Sequence, residues 1–230
     1  MKQIAVIFDM DGVIVDSEPV YRRLNEKIFE KLNIKVDEET KLSFIGGTTE
    51  RKWTILKNKF LLSQSVEELM TLQNIVFSQK EWNFKDILYP EAIPLLKLLK
   101  EQSIPTVLAT SSDKTRIQAV LDQCGLKKYF NEVVCGVDFE RGKPDPDIFL
   151  NAAEKVGVPP ENCVVIEDSY NGITAAKKAN MYCIGVRHKE INMNLSQADE
   201  IVDSLSEVDI EKLKIITSME VFCQTNALFD

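Results

Sequence analysis

Four short segments concentrate the side chains able to do chemistry. Asp9-Met10-Asp11-Gly12 carries two carboxylates two residues apart, and Gly12 lets the backbone turn after them. Residues i and i+2 of an extended chain point to the same side, so both acids can face one ligand. Thr110-Ser111-Ser112 offers three successive hydroxyls, hydrogen-bond donors suited to phosphoryl oxygens. Gly142-Lys143-Pro144 supplies a lysine just before a predicted helix, whose N-terminus also favours anions. Glu167-Asp168-Ser169 adds a second acidic pair.

Singly, each segment has a bland reading as a solvated turn, a surface lysine or a hydroxyl cap. Together they supply carboxylates for a hard divalent cation, a lysine for phosphate charge and hydroxyls for phosphoryl oxygens. Magnesium prefers one or two carboxylates plus waters and a substrate phosphate. This is the inventory of phosphoryl transfer, where catalysis is mainly positioning and charge neutralisation. Two decoys are excluded. An EF-hand needs oxygen ligands at loop positions 1, 3 and 5 and glycine at 6, but here Gly12 comes fourth. Gly136 and Gly142-Lys143 resemble a Walker A loop, yet five residues separate the glycines and Pro144 replaces the Ser/Thr.

Such a site needs a scaffold that delivers all four segments to one edge. Ile4–Phe8, Pro105–Ala109, Glu132–Cys135, Cys163–Ile166 and Tyr182–Val186 are apolar nearly throughout, as strands buried on both faces are. Helical spacing lies between them. Ala92, Leu95, Leu96 and Leu99 form one stripe, and Ile117, Val120, Leu121 and Cys124 another before Gly125. Asp147–Val156 follows two prolines and stops at Gly157, and Asn171–Ala179 is a further short helix. The alternation predicts an α/β fold: a doubly wound, mainly parallel sheet with right-handed crossovers.

One stretch breaks the rhythm. Between Ser17 and Asn83 no strand-like run occurs, and helical faces form from Val20, Leu24, Ile28 and Leu32, from Trp53, Leu56 and Phe60, and from Leu69, Leu72, Ile75 and Val76. The division expected is an α/β core of residues 1–16 and 84–230 with a helical insert at 17–83. An insert after the first strand sits over the crevice where such sheets bind ligands, so it is expected to act as a lid.

Composition bounds the rest. The 230 residues are 44% hydrophobic and 28% charged, ordinary for a globular chain. The 36 acidic and 28 basic side chains give a net charge of −8, which argues against nucleic acid or an anionic membrane as partner. The insert is almost neutral, with 11 basic and 10 acidic residues, so the acidity belongs to the remainder, with 17 and 26. No run approaches the roughly 18 apolar residues that span a bilayer. Asp9 follows the N-terminal apolar run too early for a secretory h-region, and a cytoplasmic location is expected. The five cysteines are widely spaced without a C-x-x-C pair, so neither a disulfide framework nor a zinc site is expected. The one histidine, His188, reads as a loop residue, and nothing near it supports a histidine triad or a multi-histidine metal site. No feature distinguishes a monomer from a weak dimer.

The order and spacing of the four segments resemble the haloacid dehalogenase-like superfamily. The matching residues are Asp9-Met10-Asp11-Gly12-Val13, Thr110, Lys143 in Gly142-Lys143-Pro144-Asp145, and Glu167-Asp168-Ser169, so the resemblance runs to about Arg187. The insert resembles that family's small helical cap. Asp11–Pro19 and Lys143–Phe149 resemble the branch of β-phosphoglucomutase and sugar-phosphate phosphatases. The resemblance implies that Asp9 is the nucleophile, forming an aspartyl-phosphate, and Asp11 the general acid and base. It implies phosphoryl contacts for Thr110 and Lys143, with Gly12, Gly46, Ser111 and Ser112 lining the substrate site. A Mg²⁺ would be held by Asp9, Asp11 (through its backbone carbonyl), Glu167 and Asp168. The partner implied is a small phosphate ester.

Mutases of this branch carry a histidine in the first cap helix and a lysine and arginine beside the Gly46 loop. Here those positions read Tyr21, Ile45 and Thr49, which favours a phosphatase over a mutase. Arg51 or Lys52 is the nearest substitute cation. A catalytically silent binding protein is disfavoured by the complete set Asp9, Asp11, Thr110, Lys143 and Asp168, and a dehalogenase by the acid at Asp11.

Overall fold

The computed structural model describes residues 3–79, 83–188 and 191–215; Cys223 and the tail from Gln224 lie outside them. Six parallel strands form one sheet in the order β3-β2-β1-β4-β5-β6. They are β1 (Ala5–Phe8), β2 (Thr106–Thr110), β3 (Glu132–Cys135), β4 (Cys163–Glu167), β5 (Tyr182–Val186) and β6 (Glu200–Val202). Both faces are covered, which explains the unbroken apolar runs. Val6, Phe8, Leu108 and Ile166 pack into one core, and Ala5, Ile7, Val107 and Val165 into the other. The predicted α/β fold is therefore correct. β6 is a strand that the hydrophobic pattern misses: it has three residues, lies at the sheet edge and leaves Ile201 39% exposed.

The chain passes from β1 to β2 on one side and later returns to place β4 on the other. Such an order reverses at β1, and ligands bind beyond the carboxyl ends of strands at that switch point. Asp9, Thr110 and Glu167-Asp168 all stand at those ends.

The helices around the sheet are α5 (Ala92–Glu101), α6 (Lys114–Gln123), α7 (Asp147–Val156) and α8 (Tyr170–Lys178). Gly157 ends α7 at φ 67°, the left-handed stop expected there. Between β1 and α5 lie α1 (Glu18–Lys31), α2 (Glu38–Leu42), α3 (Thr49–Phe60) and α4 (Val66–Ser78). Ser65 and Glu68 form a reciprocal capping box that starts α4. α2 is too short to show periodicity and owes its start to the Asp37 carboxylate, which accepts from the Thr40 amide.

These four helices bury a core of their own, including Ile28, Phe29, Trp53, Leu56 and Leu69. Burying each such side chain contributes roughly 1.5–3 kcal/mol, so truncating Trp53 is the single change most damaging to the insert. The face read on α4 is wrong at one position: Ile75 is 52% exposed, and Gln73 is buried in its place. Among the described residues no helix is long and apolar enough to cross a membrane.

Candidate active site

The Asp9 amide donates to Ile166 O at 3.0 Å, so the first residue after β1 continues the sheet hydrogen bonding. The chain then curls, with the Ile14 and Val15 amides both donating to Met10 O. Gly12 makes the curl possible. Its φ is +82°, and a Cβ there would stand 1.9 Å from Asp168 Oδ2. The tips of β1 and β4 thus touch, and a side chain at residue 12 would separate them.

Lys143 reaches this floor from the loop before α7. Its ammonium is fully buried and donates to Asp9 Oδ1 at 2.6 Å and to Glu167 Oε1 at 2.8 Å. Burial alone would lower the Lys143 pKa, but the Asp9 and Glu167 carboxylates outweigh it and hold the lysine above its ordinary value. Glu167 Oε2 accepts from the Asp168 and Ser169 amides and from Ser169 Oγ, each at 2.8 Å. Both Glu167 oxygens are therefore occupied by protein donors. The side chain thus anchors Lys143 and the turn after β4.

Asp11 turns away from this cluster. It accepts from Ser17 Oγ, from Ser112 Oγ at 2.6 Å and from Arg116 Nη2 at 2.6 Å. Burial would raise its pKa, but Arg116, Ser112 and Ser17 prevail and hold it below the ordinary carboxylate value. The guanidinium of Arg116 also lies 4.6 Å from the Tyr21 ring centroid. Sequence reading missed Arg116, because a helix residue 105 positions from Asp11 gives no local signal.

Asp9 and Asp168 remain short of positive charge. Burial first, and the neighbouring carboxylates second, hold Asp9 well above the usual carboxylate value despite Lys143. Burial likewise pushes Asp168 up to about 6. Asp168 Oδ1 is buried without a hydrogen-bond partner among the described residues. Oδ2 lies 3.3 Å from His188 Nε2, and His188 Nδ1 contacts Tyr89 Oη at 3.2 Å. Sequence reading gave His188 no place in the site, and this contact brings it there. Its place two residues beyond β5, at the same sheet edge, was the available signal. Three carboxylates (Asp9, Glu167, Asp168) share one ammonium, and one buried oxygen lacks a partner. Asp9 and Asp168 therefore fit a hard divalent cation, although no group of three His, Cys, Asp or Glu side chains among the described residues forms a ready-made cage.

A cavity of about 1000 Å³ opens above this floor. Asp9, Asp11, Thr110, Ser112 and Asp168 line it from the sheet, and Tyr21, Asn25, Lys52 and Gln73 from the insert. Thr110 is buried, and its Oγ1 accepts from the Ser112 amide at 3.1 Å. Ser111 Oγ donates to Gly46 O at 3.0 Å, and Asn171 Nδ2 donates to Ser43 O and Ile45 O at 3.1 and 2.7 Å. Gly46 has φ +74° and would place a Cβ 2.0 Å from Ser169 Oγ, so glycine there allows the insert to seat on the core. Lys57 and Lys59 stand elsewhere: Lys57 donates to Leu62 O and Gln64 O, and Lys59 pairs with Asp37.

Residues 5–180 match the family described as haloacid dehalogenase-like hydrolase. Protein SUPPRESSOR OF QUENCHING 1, chloroplastic, of Arabidopsis thaliana is 35% identical over 80% of this chain, which spans only 18% of that protein. The phosphorylated carbohydrates phosphatase of Thermotoga maritima is 34% identical over 80% of this chain and 85% of its own. The crystal structure of β-phosphoglucomutase from Clostridium difficile superposes with a TM-score of 0.81 at 26% identity, covering 96% of this chain and 99% of that one. The sheet order, the carboxylate-lined crevice at its switch point and these likenesses agree: the chain belongs to the haloacid dehalogenase-like hydrolases, as a phosphoryl-transfer enzyme of the phosphatase and phosphosugar mutase kind.

Proposed function

We propose that the chain is a Mg²⁺-dependent phosphatase that hydrolyses a small phosphorylated metabolite, a sugar phosphate, through an aspartyl-phosphate on Asp9. The observation that carries this reading is the floor of the cavity, where Asp9 is bonded to Lys143 while Asp11 stands apart with hydroxyl and guanidinium partners. Asp9 attacks phosphorus and Lys143 offsets the charge of nucleophile and phosphoryl group. Thr110 donates to a phosphoryl oxygen. Asp11 protonates the leaving oxygen and then takes a proton from the attacking water, once its carboxylate swings in from Ser17 and Arg116. Asp9, Asp168 and the Asp11 backbone carbonyl would hold the cation, which when bound screens the repulsion between carboxylate and phosphate. Residues 17–83 act as the cap that closes over the ester.

Tyr21, Ile45 and Thr49 line the cavity and bring no cation, which supports phosphatase over mutase. The structural likeness to a β-phosphoglucomutase keeps the second reading in view. The test is release of inorganic phosphate from p-nitrophenyl phosphate with Mg²⁺, lost in Asp9→Asn. Failure of the wild-type protein to hydrolyse any phosphate ester would overturn the proposal. Conversion of β-glucose 1-phosphate to glucose 6-phosphate without free phosphate would instead establish the mutase.

A further inference from the structure

The one histidine of the chain stands against the cation side of the floor, and the reaction above gives it no task. β4 and β5 pair in parallel with Glu167 opposite Gly185, so the residues that follow both strands leave the sheet side by side. There His188 Nε2 lies 3.3 Å from Asp168 Oδ2, with 16% and 5% of the two side chains exposed.

The imidazole is fixed from behind. The Tyr89 ring stacks on it at 16° with centroids 5.8 Å apart, and Tyr89 Oη contacts His188 Nδ1 at 3.2 Å. Tyr89 is itself held where the chain returns from the insert. Its amide donates to Ile14 O at 3.0 Å, and the preceding Leu88 bridges Val15. An imidazole engaged by a hydroxyl at Nδ1 presents Nε2 to its other neighbour in one orientation.

Two atoms in this corner are buried without a hydrogen-bond partner among the described residues: Asp168 Oδ1 and His188 Nε2. At 3.3 Å, Nε2 approaches Oδ2 without the alignment of a hydrogen bond. Leaving such groups unsatisfied costs about 1–3 kcal/mol each. A small turn of the carboxylate lets Oδ2 accept from the imidazole and leaves Oδ1 to a cation shared with Asp9. An apolar side chain at residue 188 would make the two oxygens equivalent, and the cation would then have to fix the carboxylate itself.

We propose that His188, braced by Tyr89, is a positioning residue that orients the Asp168 carboxylate for the divalent cation, holding Oδ2 so that Oδ1 meets the metal. This rests on the Mg²⁺ site of the phosphatase reading and adds to it the residues that pre-orient one ligand. His188 touches neither the ester nor the cation, so it acts on metal affinity and not on the chemical step.

The test is Mn²⁺ binding followed by electron paramagnetic resonance in the full chain, after EDTA treatment and without any ester. Wild type, His188→Leu, His188→Gln and Tyr89→Phe are compared, and Asp168→Asn assigns the bound ion to this corner. His188→Leu should weaken Mn²⁺ binding by about 10–100-fold, as loss of a partner of a metal ligand does. His188→Gln, whose amide nitrogen can reach the place of Nε2, should recover most of that, and Tyr89→Phe should lose about threefold or more. With p-nitrophenyl phosphate the Mg²⁺ concentration for half activity should rise by the same factors, while kcat at saturating Mg²⁺ stays within about twofold of wild type. Unchanged or tighter Mn²⁺ binding in His188→Leu would overturn the proposal, as would a loss of kcat that saturating Mg²⁺ does not restore. Tyr89→Phe keeps the ring and its packing, so it decides the matter even where His188→Leu does not fold: wild-type Mn²⁺ affinity there also refutes the proposal. Because binding is read without ester, failure to hydrolyse any ester would overturn the phosphatase reading alone.

Discussion

The two buried lysines on either side of the cavity are built alike and charged differently. Lys143 donates to an aspartate and a glutamate and lies 4.9 Å from the ring centroid of Phe149. Lys52 donates to an asparagine and a glutamine and lies 4.6 Å from that of Trp53. Each site is thus one ammonium with two side-chain acceptors and one aromatic ring, and Lys143 donates to Ala109 O at 3.3 Å as well. Carboxylates in one and amides in the other turn the same geometry to opposite ends. On the floor the acids overcome burial and keep Lys143 charged at any ordinary pH. On the roof burial prevails and brings Lys52 down to about 7.

The contrast is tested most severely at the floor. Asp9→Asn should lower kcat for p-nitrophenyl phosphate by roughly 10⁴-fold or more, as loss of a nucleophile does. No phosphoenzyme should be trapped on rapid acid quench, and a surviving one would move the nucleophile elsewhere. Lys143→Met should cost roughly 10³-fold in kcat and also stability. It leaves the buried Asp9 and Glu167 without their cation, a loss of about 3–5 kcal/mol, read as a fall in Tm of about 10 °C. A variant as stable as wild type would mean that the acids are not paired as described. Asp11→Asn should reduce turnover of alkyl phosphates by about 10²–10⁴-fold and of p-nitrophenyl phosphate less, because that leaving group needs little protonation. Equal losses on both would deny Asp11 the proton to the leaving oxygen.

The smallest effect belongs to the roof and concerns pH. With the Lys52 pKa lowered from 10.5 to about 7, the unfolded chain holds a proton between those values that the native protein has shed. Stability therefore rises with pH through that window, and the full cost of the buried charge is felt below it. The charge of the Glu18 carboxylate softens the shift without cancelling it. Lys52→Met removes this titration. The Tm difference between variant and wild type should move in the variant's favour by about 5 °C from pH 9 to pH 6. A pH-independent difference would show that Lys52 has an ordinary pKa, and with it that the two lysines are not opposites.

The floor was legible in the sequence because its residues are strand ends. A buried strand followed at once by Asp9, Thr110 or Glu167-Asp168 announces both a position and a chemistry, and Lys143 joins them by its place before a helix. What remained hidden depends on contacts between distant elements. The part Glu167 plays in holding Lys143 and the turn after β4 shows only in the donors on its two oxygens. Arg116 and His188 reach Asp11 and Asp168 from elements whose periodicity says nothing of the site. The roof was less legible still. Asn25, Lys52 and Gln73 stand on three helices, each as a polar residue within an otherwise apolar face. Periodicity alone passes over such a residue, as it did in taking Ile75 rather than Gln73 into the face of α4.

The seat of the insert on the core has an evolutionary side. Its donors, the Ser111 hydroxyl and the Asn171 amide, belong to the sheet domain, while its acceptors are the backbone carbonyls of Ser43, Ile45 and Gly46. Side chains of that loop other than at Gly46 can therefore change without unfastening the insert. The floor and the donors of this fastening thus belong to the sheet, and the roof can change its side chains apart from both.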